Sequence, residues 1–241
     1  VIEQAGEYRD RADLSLSGRQ EELFLRLSAL HKPIVTVLIA TKPLCLARVA
    51  EESGALIAAF NGGQYGGQAV AEAIFGEINP SGKLPISFPR HSGQIPVYYN
   101  SMPGWHGERY VDLPQSPLFC FGEGLSYTKF AYSNLRMDAE ALQVRVSLAN
   151  LGTRAGSETV QVYVRDLVSR VITPVKRLIA FQKVSLAAGE ARELVFSLKK
   201  EDFSLVLPNE QRMVEPGTFA LFVGGSSKDA DLLRHDLFLQ G

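Results

Sequence analysis

Residues 34–75 read IVTVLIATKPLCLARVAEESGALIAAFNGGQYGGQAVAEAIF. The run at 34–40 (IVTVLIA) is aliphatic and rich in β-branched residues over its whole length. A strand apolar on both faces belongs in the middle of a covered, parallel-type sheet. Residues 46–52 read as a short helix, and 55–60 (ALIAAF) as a second buried strand. The glycine-rich turn at 61–67 then leads into a helix over 68–75. Strand, helix, strand, glycine turn and helix is the alternation of an α/β layered domain. Glycines that follow a strand and open a helix raise a phosphate cradle as a possibility. The spacing fits neither GxGxxG nor GxxxxGK[ST], and Ser81-Gly82-Lys83 lacks the upstream glycine. The glycines are read instead as permitting a sharp turn and close packing of the helix on the sheet.

Upstream, Leu23, Phe24, Leu27 and Leu30 fall at helical spacing, predicting an amphipathic helix over 18–30 with one buried stripe. Ser17 stands where an N-cap is expected, and Lys32-Pro33 stops the helix. Before it lies GEYRDRADLSLSGRQ (6–20), with three acids and three arginines in a loop-like segment. Two readings are open: a solvated surface loop, or a loop in which one carboxylate, Glu7, sits in a cleft and handles a proton.

Downstream, residues 79–89 (NPSGKLPISFP) read as a turn and a short strand. Residues 90–130 have another character, with prolines at 96, 103, 114 and 117 and a dense set of aromatics. A long irregular segment inside a folded protein is usually functional or connecting, and this one is too aromatic for a flexible linker. Its rings either bind domains together or line a sugar-sized groove. From about Tyr132 the period becomes two. Alternating runs at 143–150, 158–164, 176–184, 193–198 and 219–223, with a last one near 237–239, are separated by turn clusters. That pattern predicts an all-β fibronectin-III or immunoglobulin-like sandwich of about seven strands without the disulfide. The expected division is therefore 1–95 (partial α/β layered domain), 96–130 (connection) and 131–241 (sandwich).

Composition narrows the function classes. Of 241 residues, 46% are hydrophobic and 21% charged, with a formal net charge of −1. That balance gives no reason to expect nucleic acid or an anionic membrane as partner, and no run of 18 apolar residues occurs. Cys45 and Cys120 are expected as free thiols, and His31, His91, His106 and His235 show no metal-ligand spacing. Neither a metal nor a cofactor is expected. The chain starts at Val1, directly in a polar loop, as expected of a piece of a longer protein.

Several runs together carry a resemblance: GEYRDRADLSLSGRQEEL (6–23), AAFNGGQYGGQAVAEAIFGEINPSGKLPISFPRHSGQIPVYYN (58–100), RYVDLPQSPLFCFGEGLSYTKF (109–130) and PVKRLIAFQKVSLAAGE (174–190). They resemble the C-terminal part of glycoside hydrolase family 3, the β-glucosidase and β-xylosidase type, over essentially the whole chain. NPSGKLPISFP and FGEGLSYTKF are the most specific runs. The family pattern usually has Tyr where Glu123 stands, and often Pro where Ser17 and Cys120 stand.

The resemblance implies a retaining exo-β-glycosidase, a β-glucosidase before a β-xylosidase, acting on terminal β-linked sugars of an oligosaccharide or β-glycoside. It implies that the nucleophilic Asp lies on a TIM-like barrel absent from this sequence, supplied by a separate chain or by another part of the polypeptide. It places the general acid/base at Glu7, carried by Gly6-Glu7, Arg11, Leu14, Leu16 and Gln20, with Glu3 as the fallback. Arg9 and Arg11 would lower the pKa of a neighbouring acid, so Arg11 is expected to pair with Asp13 or with the backbone. Trp105, Arg109 and Tyr110 are candidates for the leaving-group side, or for a contact with a neighbouring subunit of a homo-oligomer. The alternative is a non-catalytic structural or assembly module related to the same family. A serine hydrolase is disfavoured, because no G-x-S-x-G elbow occurs.

Overall fold

The structure is a computed structural model that describes residues 10–104 and 110–240. It divides into two compact units. One contains residues up to 78 together with 86–97 and 108–119, and the other 79–85, 98–107 and 120 onwards. Residues of the expected 96–130 connection fall in both units.

The first unit is α/β. Strands β1 (Val35–Leu38) and β2 (Ala55–Ala58) pair in parallel, with Val35 opposite Ala55 and Leu38 opposite Ala58. Helix α1 (Gln20–Ser28) precedes them, α2 (Ala47–Glu52) connects them, and α3 (Gly66–Ile74) follows. The N-cap of α1 is Arg19, without a side-chain cap bond, so Ser17 does not cap the helix. Ser17 instead accepts from the Gln20 side-chain amide, through its carbonyl at 3.1 Å and its hydroxyl at 3.0 Å. The predicted buried stripe is buried only at Phe24; Leu23 is 59% and Leu30 63% exposed. β1 is likewise less covered than its sequence asks, with the adjoining Ile39 72% exposed. Side chains of a parallel sheet are covered by elements packed on its two faces, and the described residues supply less of that cover than the apolar runs ask.

The 61–67 turn is shaped by two glycines in different ways. Gly63 takes φ +64°, and a Cβ on Gly62 would meet the Gly66 Cα at 2.7 Å. Nothing lies within 4 Å of a Cβ placed on Gly66 or Gly67, so the expected close packing there does not occur among the described residues. Residues 79–89 form no extended strand. Phe88 makes one antiparallel bridge to Phe119, its N–H donating to the Phe119 carbonyl at 2.9 Å. Phe60, Phe88 and Phe119 meet edge to face, at 6.5 and 6.1 Å between ring centroids.

The second unit is a β-sandwich. Its four-stranded sheet has the order β11 (Leu233–Leu239), β10 (Gly217–Gly224), β5 (Gly156–Asp166), β6 (Arg177–Leu186), all antiparallel. The three-stranded sheet is β3 (Phe130–Asp138), β4 (Gln143–Asn150), β7 (Ala191–Ser197). A small hairpin of β8 (Leu205–Val206) and β9 (Arg212–Met213) was not legible as strand. Alternation puts Val144, Val146 and Leu148 of one sheet against Val160, Val162, Phe219 and Leu221 of the other, all buried. Each such side chain contributes roughly 1.5–3 kcal/mol on burial.

The aromatic part of the connection has its place here. Gln161 and Tyr163 lie on the opposite face of β5 from its core valines. Tyr99 stacks on Phe121 at 4.4 Å and meets Tyr163 edge-on at 5.7 Å. The Gln161 side chain donates to the Gly225 carbonyl at 2.5 Å, and Val175 N–H donates to the Ser101 carbonyl at 2.9 Å. Tyr99 and Phe121 thus pack over the outer face of β5 at Tyr163, while Phe181 of β6 and Phe238 of β11 stay exposed.

Candidate active-site loop

Glu7, the fallback Glu3, and the candidates Trp105 and Arg109 lie outside the described residues. The loop is described from Asp10 onwards, and its local shape follows from short polar side chains. The Asp13 carboxylate accepts the Ser15 N–H at 2.9 Å and the Ser15 hydroxyl at 2.6 Å, an Asx turn. The Arg11 guanidinium donates to the Ser15 carbonyl at 2.9 Å. Arg11 thus pairs with the backbone, one of the two arrangements expected. These bonds hold the Asp13 carboxyl below its usual range: the Ser15 hydroxyl and N–H contribute most, and the Arg11 charge least.

These contacts shape the loop but do not place it. Placement comes from Leu14, which is buried. Its N–H donates to the Ser92 hydroxyl at 3.1 Å, and its carbonyl accepts the Cys45 N–H at 2.9 Å. The Ser92 hydroxyl faces the Asp13 carboxylate at 3.4 Å and the Cys45 sulfur at 3.8 Å.

Ser92 is itself held. Residues Ser92–Gln94 form one 3-10 turn, started by His91, whose Nδ1 accepts the Gly93 N–H at 3.0 Å. The buried Gln94 side chain accepts the Arg90 N–H at 2.8 Å and donates to the Gln115 and Ser116 carbonyls at 2.8 and 3.0 Å. Tyr110 is half-buried, its N–H donating to the Leu113 carbonyl at 3.0 Å. Ser92 was not singled out from sequence, since an isolated serine in a HSGQ run carries no periodic or chemical signal, and Cys45 was read only as a free thiol.

The model of the glycosyl hydrolase family 3 C-terminal domain matches residues 1–127. The chain belongs to this family. A fibronectin type III-like domain model matches residues 158–227, within the sandwich. A β-xylosidase of Formosa agariphila is 40% identical over 236 residues, covering 94% of this chain and 33% of its own. A periplasmic β-glucosidase of Salmonella typhimurium is 35% identical, over 92% of this chain and 31% of its own. Among solved structures, a β-glucosidase of saponin metabolism from intestinal bacteria superposes with a TM-score of 0.93 at 41% identity, covering 100% of this chain and 35% of its own. The Listeria innocua β-glucosidase solved with isofagomine gives 0.91 at 37% identity, covering 99% and 35%. The family 3 chain therefore spans about a third of the length of the relatives it matches.

Proposed function

We propose that this chain is the acid/base-bearing part of a retaining exo-β-glycosidase. The observation that carries the reading is similarity along nearly the whole chain to named β-glucosidases and β-xylosidases, of which it spans a third. Glu7 is the general acid/base, and the nucleophilic Asp stands on a barrel not contained in this sequence. The substrate is a terminal β-linked glucoside before a xyloside, a ranking supported by the similar solved structures, which are β-glucosidases.

Retaining chemistry needs two carboxyls about 5–5.5 Å apart across the scissile bond. As the barrel's carboxylate attacks the anomeric carbon, Glu7 gives its proton to the glycosidic oxygen. It then takes a proton from the water that releases the sugar. The acid must remain protonated until it acts, so a nearby cation works against it. The engagement of Arg11 with the Ser15 carbonyl is compatible with that requirement.

The test is Glu7→Gln in the assembled enzyme, with Glu3→Gln as control. Turnover of glycosides with poor leaving groups should fall about 10²–10⁴-fold. Azide should partly restore turnover of an activated aryl glycoside. Unchanged kinetics in Glu7→Gln would favour the non-catalytic assembly module instead.

A further inference from the structure

We propose that Ser92 is a positioning residue for the acid/base loop, its hydroxyl fixing where the chain runs on from Glu7 by holding the backbone of Leu14. The inference rests on the assignment of Glu7 made above. The geometry behind it is a separation of roles within residues 10–19. The bonds of Arg11 and Asp13 to Ser15 are local. Those of Arg19 to Glu22 and of Gln20 to Ser17 are local too. Such bonds give a loop a shape that can swing as a body. Among the described residues, the hydrogen bonds that tie this stretch to distant parts of the unit converge on Leu14 and Asp13, from Ser92 and Cys45.

The two anchors differ in kind. The Cys45 bond is backbone to backbone and survives any side-chain change there except proline. The Ser92 bond depends on a side-chain oxygen, which accepts from Leu14 N–H while facing the Asp13 carboxylate. That oxygen sits on a turn braced by His91 and by the buried Gln94. Removing it leaves the Leu14 N–H, part-buried, without its acceptor and lets the loop pivot about the Cys45 bond. Displacements of about 1 Å in a catalytic group cost up to about 10²-fold in rate, so a loop seven residues from Glu7 has leverage without touching substrate.

The experiment measures kcat/KM of the intact enzyme for aryl β-glycosides of graded leaving-group basicity. It compares the wild type, Ser92→Ala, Ser92→Thr, Glu7→Gln and the Ser92→Ala/Glu7→Gln pair. This constant reports bond cleavage to the leaving group, which needs the acid when the leaving group is poor and not when it is activated. Ser92→Ala is expected to lower kcat/KM about 10–100-fold for the poorest leaving group and less than about twofold for a dinitrophenyl glycoside. Ser92→Thr, which keeps the hydroxyl, restores most of the loss, and Ser92→Ala adds nothing once Glu7 is Gln. Ser92→Cys, nearly isosteric with a weaker acceptor, carries the test if the alanine variant does not accumulate. A loss equal across all leaving groups, or one that persists in the Glu7→Gln background, overturns the role of Ser92 and leaves Glu7 standing. Glu7→Gln behaving as wild type removes the premise and the proposal together, and is read from that variant alone.

Discussion

The Lys83 ammonium lies 2.8 Å from the Glu158 carboxylate, with 15% and 7% of the two side chains exposed. Lys83 belongs to the NPSGKLP run and Glu158 to β5, so the pair fastens that run to the sandwich. Lys83 also donates to the Gly124 carbonyl at 3.1 Å. The Tyr132 hydroxyl is buried in the same spot, and its pKa is driven far up, first by burial and then by the Glu158 charge. A Cβ on Gly225 would stand 2.8 Å from Glu158 Oε1, so the cluster has no spare room. Leaving one member of a buried pair uncompensated costs about 3–5 kcal/mol, whereas replacing both by apolar groups is often neutral. Lys83→Met should therefore destabilise the second unit by about 3 kcal/mol, and Lys83→Met/Glu158→Leu by much less. Urea unfolding followed by circular dichroism decides it. A double variant as unstable as the single would show that the pair's polar character is required.

Tyr99 is the ring that fastens the connection to the sandwich. It stacks on Phe121 and meets Tyr163 edge-on, and its hydroxyl accepts the Leu178 N–H at 3.4 Å. Truncating a large buried ring costs about 3–5 kcal/mol, and aromatic pairs add about 0.5–1.5 kcal/mol beyond burial. Tyr99 is half-buried, so Tyr99→Ala should cost about 2 kcal/mol, and Tyr99→Phe a few tenths, because the bond it loses is long. Hydrogen exchange should show faster exchange at Val175 N–H, which bonds to Ser101, in the alanine variant only. Unchanged protection there would mean that the segment is held without the ring.

How much of this was legible follows from which interactions are local. The α/β alternation and six of the seven strands of the two sandwich sheets come from periodicity, a property of neighbouring residues, while β3 showed no alternating run of its own. What periodicity cannot report is cover: Leu23, Leu30 and Ile39 read as buried and are exposed, because burial depends on what packs against them. Ser17 read as an N-cap, yet its hydroxyl accepts from the Gln20 side chain. The Leu14–Ser92 bond spans 78 positions and left no trace in the sequence. The Glu123 carboxylate accepts the Cys120 N–H, a bond that periodicity does not report either. A proline at 120 would have no N–H to offer.

Two glycines should respond in opposite directions to the same substitution. A Cβ on Gly124 would stand 2.2 Å from the Gly82 carbonyl oxygen. Leu84 N–H donates to the Glu123 carbonyl and Gly122 N–H to the Leu84 carbonyl, both at 2.8 Å, so the two runs cannot part without losing these bonds. Gly124→Ala should cost about 3 kcal/mol through overpacking. Gly67 lies in α3 with nothing within 4 Å of a Cβ. Gly67→Ala should stabilise by roughly 0.5–1 kcal/mol through helix propensity and a less flexible unfolded chain. Thermal melts of the two variants give the signs directly, and a destabilised Gly67→Ala would reveal a constraint on that helix which its surroundings do not show.

The Cys120 thiol sets a pH dependence whose direction can be worked out. Burial first, and then the Glu123 charge, push its pKa from 9.0 to about 11, with Lys228 and Lys176 opposing and Asp229 adding. The fold thus favours the protonated thiol. Its contribution to stability is fully present below pH 9.0 and is lost as pH rises through about 11, where the folded thiol ionises. Cys45 is also raised, by burial first, so Cys45→Ser isolates the other thiol while keeping the backbone bond to Leu14. In that variant the rate of thiol alkylation should rise with pH to a midpoint near 11, because the thiolate is the nucleophile. Alkylation at neutral pH should run about tenfold or more below that of free cysteine. Changing Cys120 to Ala should flatten the decline in stability between pH 9 and 10, leaving from about pH 10 upward the loss that the buried Tyr132 and Tyr163 phenols cause as the unfolded chain ionises. A midpoint at or below 9 would mean that the Lys228 and Lys176 charges outweigh burial at this site.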